Sequence, residues 1–161
     1  MSKAFTKEDD EIPERVSRER SSSGLPPGAV NYITEEGASR LRGELDELEK
    51  HARRGKESRA EAEDGSKTER MARLRGILDS ATIVPTREAA PEEVLFGTMV
   101  TVRTASGELH RHRIVGGDET ALGEGWVSWV SPVARVLLGA QVGQQVQLPD
   151  GSKGEVVGIG I

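Results

Sequence analysis

The apolar residues change their spacing part-way along the chain, and this change sets the main limit on what the chain can fold into. Between residues 34 and 84 they recur three or four positions apart, which is the repeat of one face of an α-helix. From Val94 onward they alternate with polar residues, which is the repeat of a half-buried β-strand. The sequence therefore predicts an α+β protein whose helices precede its sheet.

The helical half carries two apolar stripes, each too narrow for the core of a globular domain. Thr34 is a suitable N-cap, and Glu35 and Glu36 follow in the first turn, where the helix dipole favours acidic side chains. Gly37 is unfavourable inside this turn, and helical propensity stays high until Gly55. The first stripe consists of Leu41, Leu45, Leu48 and Ala52, and the second of Met71, Leu74, Leu78 and Ala81, with Ile77 beside it.

A polar turn separates the two stripes. The segment 64–66, Asp-Gly-Ser, is a turn signal. The second helix is predicted from about Thr68 to Ala81, a length of roughly 20 Å. Two narrow stripes around a polar turn predict an antiparallel helical hairpin of coiled-coil type over residues 31–84, projecting into solvent.

Two further segments lack the pattern of either element. Residues 1–30 mix both signs of charge and end in serine, glycine and proline, so we expect a disordered tail. Residues 85–91 contain two prolines and are predicted to form a linker. The 161 residues are 35% hydrophobic and 30% charged, which is lean for one packed core and agrees with a tail and a solvated helical part.

The alternating half predicts a small α+β domain over residues 92–161. Its predicted strands are the segments 96–104, 109–115 and 125–131 and two more strands on either side of the Pro-Asp-Gly turn at 149–151. Ser131 as N-cap, Pro132 at the first helical position and Gly139 beyond the last turn enclose one short apolar helix. We expect an antiparallel sheet of about five strands with this helix packed on one face.

Charge and cysteine content argue against several classes of function. The net charge of −5 argues against nonspecific binding of nucleic acid by the whole surface. The sequence contains no cysteine, which excludes disulfides and thiolate metal sites and agrees with a reducing cytoplasm. No apolar run approaches the roughly 20 residues of a membrane helix, and the N-terminal residues lack the apolar region of a signal peptide. We therefore expect a cytoplasmic protein with no membrane partner.

Few residues suggest a chemistry of their own. His110 and His112 lie on one face of a predicted strand, but no third metal ligand accompanies them, so a solvated strand face is the preferred interpretation. The sequence has no phosphate-binding loop and no nucleophile elbow. Carboxylates cluster at the predicted hairpin tip, and they would suit Mg²⁺ if donated into another protein's site; a solvated turn is the simpler interpretation. These carboxylates are Glu57, Glu61, Glu63 and Asp64.

Several short motifs in this order resemble one known family. They are Asn31-Tyr32-Ile33-Thr34-Glu35-Glu36-Gly37 at the first helix, FGTMVTV from Phe96, His112-Arg113-Ile114-Val115-Gly116, VSPVARVLLG from Val130, Val142-Gly143, and Pro149-Asp150-Gly151. With the predicted hairpin and sheet domain, they resemble the GreA/GreB family of bacterial transcript-cleavage factors. The resemblance covers residues 31–161, and the opening residues, MSKAF, are similar to the GreB side of the family.

The resemblance implies a fold and a mode of action. It implies an FKBP-like domain over residues 92–161 that docks on RNA polymerase at the secondary channel, while the hairpin enters the channel. The tip carboxylates Glu61, Glu63 and Asp64 would then help to hold a Mg²⁺ ion of the polymerase active site during cleavage of backtracked RNA. The implied docking residues are Ser131, Pro132, Ala134, Leu137 and Leu138.

The same resemblance implies an accessory factor rather than an enzyme. It would have no metal or cofactor of its own, because the Mg²⁺ belongs to the polymerase. The resemblance also implies DNA binding, but only through indirect contact with the nucleic acid of the elongation complex. We expect it to act as a monomer.

The hairpin departs from the family pattern, and two alternative functions stay open. The family tip carries Asp-x-x-Glu-Asn, which is absent here, the hairpin is shorter, and Val130 stands where the family often has Asp or Asn. A non-cleaving, Rnk-like regulator that competes for the channel is the first alternative. The second is an FKBP-like binding or prolyl isomerase module unrelated to transcription, although Phe96, Trp126 and Trp129 offer few aromatic rings for a proline pocket.

Overall fold

The computed structural model describes residues 25–57 and 65–161, and it has the α+β architecture that the apolar spacing predicts. In chain order its elements are β1 (Asn31–Thr34), α1 (Glu35–Glu57), α2 (Gly65–Ser80), β2 (Ala81–Val84), β3 (Met99–Thr104), β4 (Leu109–Val115), β5 (Trp126–Ser128), α3 (Pro132–Leu137), β6 (Gln145–Gln147) and β7 (Lys153–Gly160). A 3₁₀ helix, Gly117–Glu119, lies between β4 and β5. Residues 85–92, which include the predicted linker, form neither helix nor strand.

A two-stranded parallel sheet stands at the base of the two long helices. β1 and β2 pair so that Ile33 lies opposite Ile83. The sequence predicted helices from Thr34 and up to Ala81 within residues 31–84, and it did not predict the two short strands that flank them. The reason is local, since both segments are rich in β-branched residues, whose restricted side chains favour strands. Ala81, assigned to the second apolar stripe, instead begins β2.

The first half of α1 packs on the second half of α2 around a buried apolar cluster. Its members are Ile33, Ala38, Leu41, Leu74 and Ile77, with Leu45, Leu48, Leu78, Ala81 and Leu122 packed against them. Leu41 and Leu74 are at most 1% exposed. The prediction that both stripes are too narrow for a core is therefore wrong at this end of the helices, because β1 and Leu122 close the sides that the stripes leave open.

Beyond this cluster both helices continue with polar surfaces. α1 runs nine residues past Leu48, and α2 begins nine residues before Leu74. Two salt bridges join the helices, Arg70 to Glu44 at 2.6 Å and Arg75 to Glu49 at 2.7 Å. Because these pairs are partly exposed, each contributes little stability. The connection between the helices, residues 58–64, lies outside the described residues and includes Asp64 of the predicted turn.

The second sheet has five strands in the order β5-β4-β3-β7-β6. β3 is antiparallel to both β4 and β7, and β6 is antiparallel to β7 around the predicted Pro-Asp-Gly turn. The expectation of a purely antiparallel sheet is wrong at one edge, because β5 is parallel to β4. A parallel neighbour needs a crossover connection, and residues 116–125 carry the chain back so that Trp126 lies opposite Arg113 and β5 pairs with the last three residues of β4.

One face of this sheet and α3 enclose the second apolar core. The alternation predicted for β3 is confirmed, since Val100 and Val102 are fully buried while Arg103 is exposed. The buried members of this core are Val94, Val100, Val102, Ile114, Ala134, Leu137, Ala140, Val146 and Val156. The short helix is therefore packed on one face of the sheet, as the sequence predicts.

The N-terminal segment is described only from Leu25. This residue is 7% exposed, so burial begins inside the segment 1–30 that was predicted to be a disordered tail. Disorder stays a prediction for residues 1–24, which lie outside the described residues. Within the part of the chain that the structure covers, no helix combines the length and the apolar character needed to cross a membrane.

Candidate functional site

A short helical corner follows β5, and its caps are as predicted. Ser131 is the N-cap of α3, and its hydroxyl oxygen accepts a hydrogen bond from the backbone N–H of Ala134 at 3.2 Å. Pro132 occupies the first helical position, where no N–H is needed. Gly139 follows the helix with a φ of 80°, and its N–H donates to the Val94 carbonyl at 2.8 Å. The corner is thus held at both ends.

The predicted docking residues divide between the surface and the core. Pro132 is exposed, and Ser131 and Leu138 are half-buried. Ala134 and Leu137 are fully buried and belong to the sheet core. A protein partner at this corner would therefore touch the first three residues, whereas the last two support α3 from beneath.

An apolar cavity of about 170 Å³ lies beside this corner. It is lined by Tyr32, Val84, Phe96, Trp129 and Leu138. The ring centroid of Tyr32 lies 6.0 Å from that of Phe96 and 5.7 Å from that of Trp129, which are ordinary distances for aromatic pairs. Sequence reasoning considered Phe96 and Trp129 but missed Tyr32, because only the packing of β1 against the sheet domain brings it there.

A buried glutamate joins the start of α1 to the loop after β4. Glu119 is 0% exposed, and its Oε2 accepts hydrogen bonds from the backbone N–H of Thr34 at 3.0 Å and of Gly116 at 2.7 Å. The hydroxyl of Thr34 donates to Oε1 of the same carboxyl. This hydroxyl also accepts a hydrogen bond from the N–H of Gly37 at 2.9 Å, which confirms Thr34 as the N-cap. We call the contact between residues 31–40 and residues 113–126 the junction.

Two glycines leave room for the junction. A Cβ added at Gly37 would lie 1.8 Å from Oε1 of Glu119, and one added at Gly116 would lie 2.1 Å from the carbonyl oxygen of Tyr32. Both distances are far below van der Waals contact, so a larger residue forces the two sides apart. Gly37, which is unfavourable within a helix, is therefore explained by a contact with a residue far along the chain. In the sequence, Gly37 was noted only as unfavourable in the first turn of a helix, and Glu119 was not singled out.

Two arginines and a tryptophan form the other part of the junction. The guanidinium carbons of Arg40 and Arg113 lie 5.3 Å and 4.9 Å from the ring centroid of Trp126, within the range of cation–π contacts. Both arginines also bind Glu36, Arg40 at 2.6 Å and Arg113 through a second hydrogen bond. The hydrogen bond from Arg113 holds the pKa of Glu36 below its usual range. The first turn of α1 is thereby tied to β4 and β5.

The edge of the junction carries further polar contacts. The side-chain amide of Asn31 donates to Asp118 at 3.4 Å, and Arg40 donates to the Leu122 carbonyl at 2.8 Å. Burial raises the pKa of the Asp118 carboxyl, although the hydrogen bond from Asn31 opposes this effect. These contacts extend the attachment of β1 and α1 along the whole loop after β4.

The two strand histidines lie on the core face of the sheet rather than on a fully solvated face. His110 and His112 pair directly with Val102 and Val100, whose side chains are buried, and the two imidazole rings are stacked with centroids 6.4 Å apart. His110 is exposed, and His112 is half-buried. Across residues 25–57 and 65–161, no group of three histidine or acidic side chains could hold a metal ion. The interpretation of a solvated face is thus wrong for His112.

His112 should make the stability of the sheet domain sensitive to mild acid. Burial, and then the neighbouring His110, lower its pKa below the usual 6.5. The folded state favours the neutral imidazole ring of His112. Its contribution to the free energy of unfolding is therefore fully present above pH 6.5, and it is lost as the pH falls from 6.5 through the lower pKa of the folded state. We expect the urea midpoint to fall between pH 7.5 and pH 5.5, and to fall less in His112→Gln.

The matched control for this measurement is His51→Gln, which removes a histidine from the exposed surface of α1. Its midpoint should fall as much as that of the wild type. Glu36 and Glu44 have pKa values below 4.5, so they stay ionised in this window and do not contribute to the change. An equal fall in His112→Gln and in the wild type would contradict the prediction.

The predicted tip carboxylates lie outside the described residues. Glu61, Glu63 and Asp64 belong to the segment 58–64, and Glu57 is the last residue of α1. Their role as metal ligands stays a prediction. Among the described residues, α1 ends at Glu57 and α2 begins at Gly65, on either side of this segment.

Comparison with known proteins places the chain among transcription elongation factors. Residues 88–159 match the family model described as "Transcription elongation factor, GreA/GreB, C-term". The transcription elongation factor GreB of Pseudomonas aeruginosa is 37% identical over 142 residues, covering 75% of this chain and 84% of that protein. GreB of Xanthomonas axonopodis pv. citri is 37% identical over 156 residues, covering 82% of this chain and 92% of that protein.

A solved structure shows a weaker likeness in three dimensions. The crystal structure of GreA factor homolog 1 of Thermus thermophilus is 26% identical, and the alignment covers 81% of this chain and 99% of that chain. Its TM-score of 0.37 is low, so the family assignment rests on the sequence relatives.

Proposed function

The chain belongs to the GreA/GreB family of transcription elongation factors, and on this premise we propose that it binds bacterial RNA polymerase at the secondary channel and modulates elongation. The observation that carries the proposal is the family match over residues 88–159, which contains the whole capped corner at Ser131. Two GreB relatives that align with at least 75% of the chain extend the likeness into the helical part. In this proposal the protein is an accessory factor, and polymerase is the catalyst.

In this proposal a monomer docks through the FKBP-like domain, residues 92–161, at the corner. Ser131, Pro132 and Leu138 supply the contact, because their side chains are at least partly accessible. The apolar cavity beside Leu138 continues this surface towards β1 and β2. The three contact residues are apolar or hydroxyl-bearing, which suits a protein partner, and in this proposal contact with nucleic acid is indirect.

We further propose that α1 and α2 are the two arms of an antiparallel coiled-coil hairpin that enters the channel. In support of this, each helix runs nine residues past the buried cluster towards the segment 58–64. With 23 residues, α1 is about 35 Å long. The carboxylates Glu61, Glu63 and Asp64 would join the ligands of a Mg²⁺ ion of the polymerase active site, where two metal ions stabilise the charge that develops when RNA is cleaved.

RNA cleavage in backtracked elongation complexes tests this proposal. Purified protein added with Mg²⁺ should accelerate cleavage. The combined variant Glu61→Ala, Glu63→Ala and Asp64→Ala should return the rate to that of polymerase alone, because it removes the proposed metal ligands. Binding to polymerase should persist, since the corner is unchanged.

A matched control removes the same number of charges elsewhere. The combined variant Glu88→Ala, Glu92→Ala and Glu108→Ala lies at exposed positions outside the helices and the junction and should keep the acceleration. If the tip variant also keeps it, the tip assignment is wrong.

The same measurements separate the alternatives. Binding to polymerase without acceleration by the wild type would indicate a non-cleaving, Rnk-like regulator, and this regulator would compete with a cleavage-active Gre factor. The absent Asp-x-x-Glu-Asn pattern favours this second candidate. Failure to co-purify with polymerase at low salt would contradict both candidates and leave an FKBP-like binding or prolyl isomerase module unrelated to transcription.

A further inference from the structure

We propose that Glu119 is a positioning residue that sets the direction in which α1 leaves the sheet domain. The contacts of the junction by themselves support this role of Glu119 in the direction of α1. Its consequence, that the direction determines how the helical arm acts on polymerase, rests on the proposed function. Glu119 would not touch the reacting atoms, and it would act through Thr34 and α1.

The burial of Glu119 is the first reason. A polar group removed from water is costly unless it is fully hydrogen-bonded, and glutamate is rarely buried completely. Here the carboxyl is 0% exposed and receives hydrogen bonds from the backbone of Thr34 and Gly116 and from the Thr34 hydroxyl. An apolar side chain would fill the same space without this requirement. A hydrogen-bonded carboxyl adds directional contacts, which fix an orientation more narrowly than apolar packing does.

The coupling to the helix cap is the second reason. The Thr34 hydroxyl donates to Glu119 and at the same time accepts from the N–H of Gly37 in the first turn of α1. The helix start therefore has one geometry in which both bonds are made. A rotation of α1 relative to the sheet domain breaks the bond to Glu119 or removes the N-cap.

A second contact between α1 and the sheet domain fixes the direction of α1 together with the hydrogen bonds of Glu119. Glu36, in the first turn of α1, binds Arg113 of β4. Two attachments, at Glu119 and at Arg113, restrict rotation about more than one axis. Gly37 and Gly116 allow the close approach, since a Cβ at either position would overlap the opposite side. All of these contacts lie at the first turn of a helix that continues to Glu57.

The length of α1 amplifies any error at its base. A rotation of about 10° at Thr34 moves the far end of a 23-residue helix by about 6 Å. A group that must be placed in an active site loses much of its effect when it is misplaced by about 1 Å. A small loss of order at Glu119 should therefore have a large effect at the end of the arm.

Distance measurements between two spin labels test the orientation directly. The chain has no cysteine, so Arg53→Cys on α1 and Lys153→Cys on β7 give one specific pair, and both positions are exposed. Glu119→Ala should shift or broaden the distance distribution by several ångströms. Glu119→Gln keeps the size of the side chain but presents an NH₂ group to the Thr34 hydroxyl, so a smaller change is expected. The separate variant Thr34→Ser keeps the hydroxyl, and its distance distribution should equal that of the wild type.

The control separates positioning from stability. Val102→Ala truncates a fully buried residue of the sheet core, and it should lower stability while leaving the distance distribution unchanged. An unchanged distribution in both Glu119 variants would overturn the proposal. Equal broadening in Val102→Ala would also overturn it, because the effect would then follow stability alone.

The effect of Glu119 on function is measured as stimulated RNA cleavage by polymerase. Glu119→Gln should reduce stimulated RNA cleavage about tenfold at saturating protein, with the affinity for polymerase unchanged. A changed distance with an unchanged cleavage rate would overturn the functional part. If the wild type has no effect on polymerase, the proposed function fails, while the distance measurement still decides the role of Glu119.

Discussion

Gly116→Ala should lower the free energy of unfolding by about 3 kcal/mol, because it forces the junction open. The backbone of Gly116 has φ −66° and ψ 159°, which alanine adopts without strain. The cost is a steric clash, since the new Cβ would lie 2.1 Å from the Tyr32 carbonyl oxygen and 3.1 Å from a side-chain carbon of Ile33. A carbonyl oxygen of a paired strand cannot turn away, so β1 must move and the bonds between Thr34 and Glu119 must break.

Urea unfolding followed by tryptophan fluorescence measures this loss. Trp126 and Trp129 both lie at contacts between the two parts of the chain, so the signal reports on the junction. The matched control is Gly43→Ala on α1, where an added Cβ meets no atom within 4 Å. This variant should gain up to about 1 kcal/mol from helix propensity. Equal midpoints for the two variants would contradict the steric argument.

Leu137→Ala should destabilise the sheet domain by about 2–5 kcal/mol. Leu137 is 0% exposed and belongs to the core that α3 forms with β3 and β7. Truncation removes apolar burial and leaves a cavity that the short helix cannot close. Val142→Ala is the control, since Val142 is 58% exposed, and we expect it to change stability by less than about 0.5 kcal/mol.

Leu137→Ala also tests whether Leu137 supports α3 from the core or contacts polymerase directly. The proposed function assigns contact with polymerase to Pro132, and the burial of Leu137 gives that residue a supporting role only. At a temperature where Leu137→Ala is fully folded, its affinity for polymerase should equal that of the wild type. Pro132→Ala should weaken binding while the protein stays folded. Weaker binding by folded Leu137→Ala would show that α3 changes shape and that Leu137 matters for docking.

The elements that the sequence predicts correctly depend on neighbouring residues. The alternation of Val100 and Val102 is enough to identify β3 and its buried face. The α3 corner follows in the same way, because the Ser131 cap, the proline after it and the positive φ of Gly139 are all local requirements. The helical stripes and the Thr34 cap predict the two long helices, whereas the β-branched segments on either side form strands that were not predicted.

The parts that the sequence does not predict depend on residues that are distant along the chain. β5 lies parallel to β4 because of the path of a whole loop. The prediction for Glu61, Glu63 and Asp64 rests on the resemblance, because clustered carboxylates at a predicted turn carry no pattern that distinguishes a metal ligand from a solvated side chain.

By itself, the sequence determines the α+β class, the core face of β3, the caps of α1 and α3, and the resemblance to the GreA/GreB family. Only the tertiary structure decides how the two parts of the chain join. Thr34 and Glu119 are 85 positions apart, and no local rule connects an N-cap with a buried carboxyl in a loop. Gly37 shows the difference most clearly. Local propensity makes it a defect in a helix, whereas the contact with Glu119 makes it the one residue that fits.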